Sequence, residues 1–159
     1  MSGDPRIARS VEETARLGEA LAPALADGDV VALSGELGAG KTRFVAGLAR
    51  GLHCRARVRS PSYAIVNEYH GDRLLLHLDL YRLDSVDAGS LGLEEYAERG
   101  VLAVEWGERL PASWRAEALA LKFETVDAET RRITAHASGG RGLALLAAWR
   151  TLPVPEAAR

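Results

Sequence analysis

The sequence predicts an α/β fold, a three-layer sandwich in which a mostly parallel sheet lies between helices and is extended by antiparallel hairpins. Three observations predict it. Gly35-Glu36-Leu37-Gly38-Ala39-Gly40-Lys41-Thr42 fits G-x-x-x-x-G-K-[ST], a phosphate-binding loop, and stands between a short apolar run and an amphipathic stretch. Two later runs, Arg73–Asp79 and Val101–Trp106, are almost wholly apolar up to a carboxylate, Asp79 or Glu105, as buried parallel strands are. Turn sequences at His70-Gly71-Asp72 and Val126-Asp127-Ala128-Glu129 each join two β-rich segments into a hairpin. Strand, glycine loop and helix in that order make the architecture P-loop NTPase-like.

Each element has its own justification. Ser10 followed by Glu13 is a capping box, and Leu17, Leu21 and Leu25 then fall on one helical face. Ala26-Asp27-Gly28 turns the chain into the strand Asp29–Ser34. Lys41–Leu52 reads as a helix with Phe44, Leu48 and Leu52 on its buried side. Arg55, Arg57 and Arg59 alternate along an exposed strand or loop face, and their position after the phosphate-binding helix keeps a functional role open. Ser60-Pro61-Ser62-Tyr63 brings two hydroxyls to where a γ-phosphate sensor lies in such folds. Tyr63–Tyr69 and Arg73–Asp79 form the first hairpin. Ser85–Arg99 is expected to be helical with breaks at Gly89 and Gly92. Ala118–Thr125 and Arg131–Ala137 form the second hairpin, and a helix runs over Leu143–Arg150. Residues 1–150 are read as a single domain and 151–159 as a poorly ordered tail.

Composition narrows the class. With 159 residues, 47% of them hydrophobic, the chain can bury a full core without disulfides or structural metal. A formal net charge of −2 argues against a broad non-specific nucleic-acid surface. Cys54 is the single cysteine, so no intramolecular disulfide and no thiolate metal cluster can form. No apolar run approaches membrane-spanning length and the N-terminus has no signal-like core, so a cytoplasmic protein is expected.

Lys41 is one of only two lysines among 20 basic residues. A compact ammonium on a slim stem reaches phosphate oxygens inside a tight backbone cradle, where a planar guanidinium collides. The loop glycines bring backbone N–H groups against the phosphate, with the helix N-terminus behind them. The whole loop, Gly35, Glu36, Leu37, Gly38, Ala39, Gly40, Lys41 and Thr42, is therefore the predicted nucleotide-binding segment, with Lys41 on the β/γ oxygens and the Thr42 hydroxyl on Mg²⁺. Magnesium leans on few protein ligands, so an acid elsewhere must complete the site. Asp79 and Glu105 compete for that role, because ligands sit at the carboxyl ends of parallel strands. On strand pattern alone Asp79 looks more like the metal ligand. His77 alternates with apolar neighbours and reads as a hydrogen-bonded core residue. Arg57, Arg59 and Arg82 are candidates for stabilising transition-state charge, each equally compatible with a solvent-facing position.

These residues resemble the bacterial TsaE family, small P-loop ATPases of the tRNA threonylcarbamoyladenosine modification system. The resemblance covers roughly Ser10 to Ala137. It is carried by the octapeptide, by Ser60-Pro61-Ser62-Tyr63, by His77-Leu78-Asp79-Leu80-Tyr81-Arg82-Leu83, by Gly92-Leu93-Glu94-Glu95-Tyr96 and by Val104-Glu105-Trp106. Ser62 stands where the family usually has threonine, which keeps the hydroxyl and loses a methyl. The resemblance implies ATP and Mg²⁺ as ligands, with Mg²⁺ on Thr42 and Glu105 and with Asp79 needed for hydrolysis. It also implies docking on a TsaB–TsaD heterodimer that modifies tRNA, so that tRNA is engaged indirectly, through the complex. A small-molecule kinase would need an acceptor pocket and usually an arginine-bearing lid, whereas a hairpin follows the P-loop helix here. No N-K-x-D guanine-reading motif occurs, and a nucleotide-binding module without hydrolysis is the third alternative.

Overall fold

The computed structural model describes residues 2–59, 66–83 and 89–153, and in them the strand before the glycine loop lies beside one of the acid-ended runs. The elements are β1 (Ser2–Ala8), α1 (Val11–Leu21), β2 (Val30–Gly35), α2 (Lys41–Gly51), β3 (Val66–His70), β4 (Leu74–Asp79), α3 (Leu93–Arg99), β5 (Gly100–Glu105), α4 (Ala112–Glu117), β6 (Leu119–Thr125), β7 (Arg131–His136) and α5 (Gly140–Arg150). Short 3₁₀ turns follow α1 at Ala22–Ala24 and β5 at Gly107–Arg109.

The sheet has seven strands in the order β1-β7-β6-β2-β5-β4-β3. Its centre, β6-β2-β5-β4, is parallel, while β3 and the β7–β1 pair are antiparallel extensions. The central strands are apolar on both faces because each face is covered. On one side Leu17 and Leu21 of α1, Phe44, Val45 and Leu48 of α2 and Trp149 of α5 pack on Val31, Leu33, Leu75, Val101 and Leu121. On the other, Leu93 of α3, Leu110 and Ala118 pack on Ala32, Leu76, Leu78, Leu102 and Val104. The mixed α/β architecture is the one predicted, with both hairpins antiparallel as expected.

The differences have local causes. β1 has no hydrophobic alternation to announce it and contains Pro5. As an edge strand it hydrogen-bonds on one side only, to β7, which is where a proline is tolerated. Of the helix predicted over 85–99, Gly89 is helical, the chain turns at 90–91, and α3 then runs from Leu93 to Arg99. Gly92, in the left-handed conformation, caps its start. Residues 84–88 of that prediction, the Ser60-Pro61-Ser62-Tyr63 motif and the tail beyond Pro153 lie outside the described residues. α4 is six residues long, too short for a helical period to show in sequence. α5 begins at Gly140, three residues before the predicted start.

At the start of α1, Ser10 Oγ accepts the Glu13 backbone N–H at 3.1 Å, as the capping box requires. The reciprocal half is not made, since Oε1 of Glu13 is buried without a partner.

Candidate functional site

The glycine loop links the C-terminal end of β2 to the N-terminus of α2. Gly40 is the residue before the helix and has φ +100°, a left-handed conformation open to glycine at little cost. Gly35 has φ +137°, and a Cβ there would lie 2.5 Å from the Phe123 carbonyl oxygen. These constraints turn the loop sharply between β2 and α2, with the Ala39 N–H tied to the Glu36 carbonyl at 3.1 Å. The tip is open, and Leu37 is 71% exposed.

Lys41 is buried, and its ammonium donates to the Gly35 carbonyl at 2.5 Å. It also sits 4.1 Å from the centre of the Trp106 ring. Burial lowers the Lys41 pKa below the ordinary lysine value, partly opposed by the carboxylates of Glu105, Glu108 and Asp79. Trp106 holds its place through a left-handed backbone, φ 59°, immediately after β5. Tyr81 packs against it with ring centres 5.1 Å apart, and the Arg109 guanidinium lies 5.3 Å from its ring centre. Arg109 in turn donates to the carbonyls of Leu80, Tyr81 and Leu83, fixing the chain that leaves β4.

The two candidate acids are neighbours. β4 and β5 pair in parallel with Asp79 opposite Glu105, so both carboxylates stand at the loop end of the sheet. Their surroundings differ. Asp79 is half-buried and its Oδ1 accepts the Tyr81 N–H at 2.9 Å. Glu105 is buried and its carboxylate meets the Thr42 hydroxyl at 2.9 Å and 3.1 Å. His77 Nε2 lies 2.5 Å from the same carboxylate, and His77 itself is fully buried. The sequence reading of His77 as a hydrogen-bonded core residue thus gains a named partner.

A cleft of about 300 Å³ opens over the loop. It is lined by Lys41, Thr42, Asp79, Glu105 and Trp106 on one side and by Val11, Thr14, Glu129 and Arg131 on the other. Arg131 Nη2 donates to the Gly38 carbonyl at 3.2 Å, which ties the β6–β7 hairpin to the loop tip. The arginines singled out in the sequence do not line the cleft: Arg57, Arg59 and Arg82 are all exposed. Arg43 and Arg131 line it instead. Arg43 follows the motif directly and is suggested by adjacency. Arg131 lies some ninety residues from the loop in sequence, and nothing local marks it.

The family profile "Threonylcarbamoyl adenosine biosynthesis protein TsaE" matches residues 8–133. A Treponema pallidum protein named tRNA threonylcarbamoyladenosine biosynthesis protein TsaE is 38% identical over 130 residues, 80% of this chain and 96% of that protein. A protein of the same name from Nostoc is 45% identical over 106 residues, 63% of this chain and 65% of that protein, so this second match spans just under two thirds of the relative. The crystal structure of YdiB from Bacillus subtilis superposes with a TM-score of 0.76 at 35% identity, covering 94% of this chain and 96% of that one. With a profile match that spans most of the fold, from residue 8 to 133, and a relative 38% identical covered over 96% of its length, the chain belongs to the TsaE family of tRNA threonylcarbamoyladenosine biosynthesis.

Proposed function

We propose that this chain is the Mg²⁺-dependent, ATP-binding and ATP-hydrolysing subunit of the tRNA threonylcarbamoyladenosine system, resetting a TsaB–TsaD transferase between turnovers. The transfer chemistry, and contact with tRNA, belong to the partner complex. One observation carries the nucleotide reading: Thr42 of the loop and Glu105 of β5 meet at 2.9 Å, directly beside the buried Lys41.

The donor set fits the ligands. A hydroxyl and a carboxylate are the hard oxygen donors magnesium takes, and it needs few of them from protein. The loop presents N–H groups at a helix N-terminus, and the one cation buried there among the described residues is an ammonium, as a phosphate cradle requires. When bound, Mg²⁺ supplies positive charge against the β- and γ-phosphate oxygens. Thr42 and Glu105 are the residues that would hold it. Lys41 exchanges the Gly35 carbonyl for phosphate oxygens and neutralises their charge. Asp79, one residue row away at the cleft, accepts a hydrogen bond from the attacking water and orients it. Its other duty, accepting the Tyr81 N–H, keeps its carboxylate from rotating freely.

ATP affinity measured with Mg²⁺ and with EDTA, together with phosphate release, tests this reading. Magnesium-enhanced ATP affinity with phosphate released to water supports it. Phosphate passing only to a small acceptor would identify a kinase, and binding without any release, even with TsaB and TsaD present, a passive nucleotide module.

A further inference from the structure

Resting on that magnesium reading, we infer that His77 is a positioning residue for the metal-binding carboxylate of Glu105. The geometry is one-sided. His77 Nε2 is 2.5 Å from Glu105 Oε2, while its Nδ1 is buried with no partner among the described residues. Tyr69 lies beside the imidazole, with ring centres 6.3 Å apart. A buried N–H without an acceptor loses its hydration uncompensated, so the proton belongs on Nε2 and Nδ1 keeps a bare lone pair. His77 therefore donates through Nε2–H to Oε2.

The consequence falls on Glu105. Oε2 receives both the imidazole and, at 2.9 Å, the Thr42 hydroxyl, whereas Oε1 has only the longer 3.1 Å approach of Thr42. A carboxylate with one oxygen held by a fully buried ring cannot swing about its terminal bond. The rigidity comes from the sheet: His77 sits two residues before Asp79 on β4, across from Ala103 on β5, so the same pairing that aligns the two acids aligns the imidazole beneath them. Partners of this kind set the orientation of metal ligands, and their removal lowers metal affinity by roughly 10–100-fold.

Two substitutions and one measurement on the unaltered protein test this. His77→Phe keeps a ring in the cavity and removes the donor, while His77→Gln places an amide donor where Nε2 was. Affinity for a non-hydrolysable ATP analogue is read in Mg²⁺ and in EDTA. The magnesium-dependent gain should fall about tenfold in H77F and largely return in H77Q, with EDTA affinities unchanged in both. A gain in H77F equal to that of the unaltered chain overturns the inference, as does an equal loss with and without magnesium, which would mark a purely structural role. Independently of any variant's folding, ¹⁵N spectra of the unaltered protein should show the Nε2–H tautomer of His77, and the Nδ1–H tautomer would overturn the inference. If the unaltered chain itself shows no magnesium-dependent gain, the metal reading fails first and takes this inference with it. If it shows the gain and H77F retains it, only the role of His77 fails.

Discussion

Lys41 brings a positive charge into a site where it is 4% exposed, and the pH response of that group is a direct test of its role. Its pKa lies below the ordinary 10.5, chiefly through burial. Between the native value and 10.5 the unfolded chain holds a proton that the native chain has released, so native stability rises with pH across that window. Phosphate binding runs the other way, because it needs the ammonium. ATP affinity should therefore decline as the pH rises toward 10.5, while stability toward urea rises relative to Lys41→Ala over the same range. Lys41→Ala should lose nucleotide binding while keeping its fold, and unchanged ATP affinity in it would defeat the cradle assignment. The acids separate in the same way. Glu105→Ala should abolish the magnesium-dependent gain in affinity and also destabilise the protein by about 1–3 kcal/mol, because His77 is left as a buried unpaired donor. Asp79→Ala should slow turnover and leave that gain in place. The opposite pattern, measured by ATP titration and phosphate release, would exchange the two roles.

At the scale of elements, the site depends on how closely α1 and α2 cross. A Cβ at Gly47 would lie 1.9 Å from the Ala15 carbonyl oxygen, and one at Gly18 would lie 2.3 Å from the Phe44 carbonyl oxygen. Backbone therefore packs against backbone at this crossing, and no side chain can yield to make room. Because Lys41 and Thr42 form the first turn of α2, the crossing also sets where the cradle sits relative to β5. Gly47→Ala should destabilise the chain by about 3 kcal/mol in urea unfolding and weaken ATP binding with it. Stability equal to the unaltered protein would contradict the crossing as described. By contrast Ser10→Ala removes one capping bond from α1 and should cost about 1 kcal/mol, with nucleotide affinity retained.

Over the whole molecule, the candidate site groups stand in a cleft that is open rather than enclosed. Leu37 and Val11 at its edge are 71% and 60% exposed. Among the described residues, Arg57, Arg59 and Arg82 are not in it, and Arg131 spends its guanidinium on carbonyls of its own hairpin and of Gly38. Under the proposed function, charge developing on a transferring phosphoryl group would be met by Lys41 and the metal site, with the exposed Arg43 of α2 the remaining arginine that lines the cleft among the described residues. Slow hydrolysis by the isolated chain is the expected result. Adding TsaB and TsaD should raise steady-state phosphate release at least tenfold, equivalent to about 1.4 kcal/mol of transition-state stabilisation. Rapid turnover alone, unchanged by the partners, would refute partner gating.

What the sequence determined by itself was local in origin. The octapeptide, the apolar strand ahead of it and the helix behind it are contiguous, so motif and periodicity were enough to locate the nucleotide loop and predict the α/β class. The two hairpins were legible because each turn joins strands adjacent in the chain. The edge strand β1 was not, since its order comes from pairing with β7, far along the chain and marked by no pattern of its own. Strand pattern could bring Asp79 and Glu105 to the same edge of the sheet, but by itself it favoured Asp79 as the metal ligand. The tertiary structure brings Glu105, not Asp79, against Thr42 at a sequence separation of 63, and His77 against Glu105 at a separation of 28. Those contacts depend on strand register and on the α2 crossing, which are set by packing between distant segments, and it is packing of that kind that no stretch of sequence encodes alone.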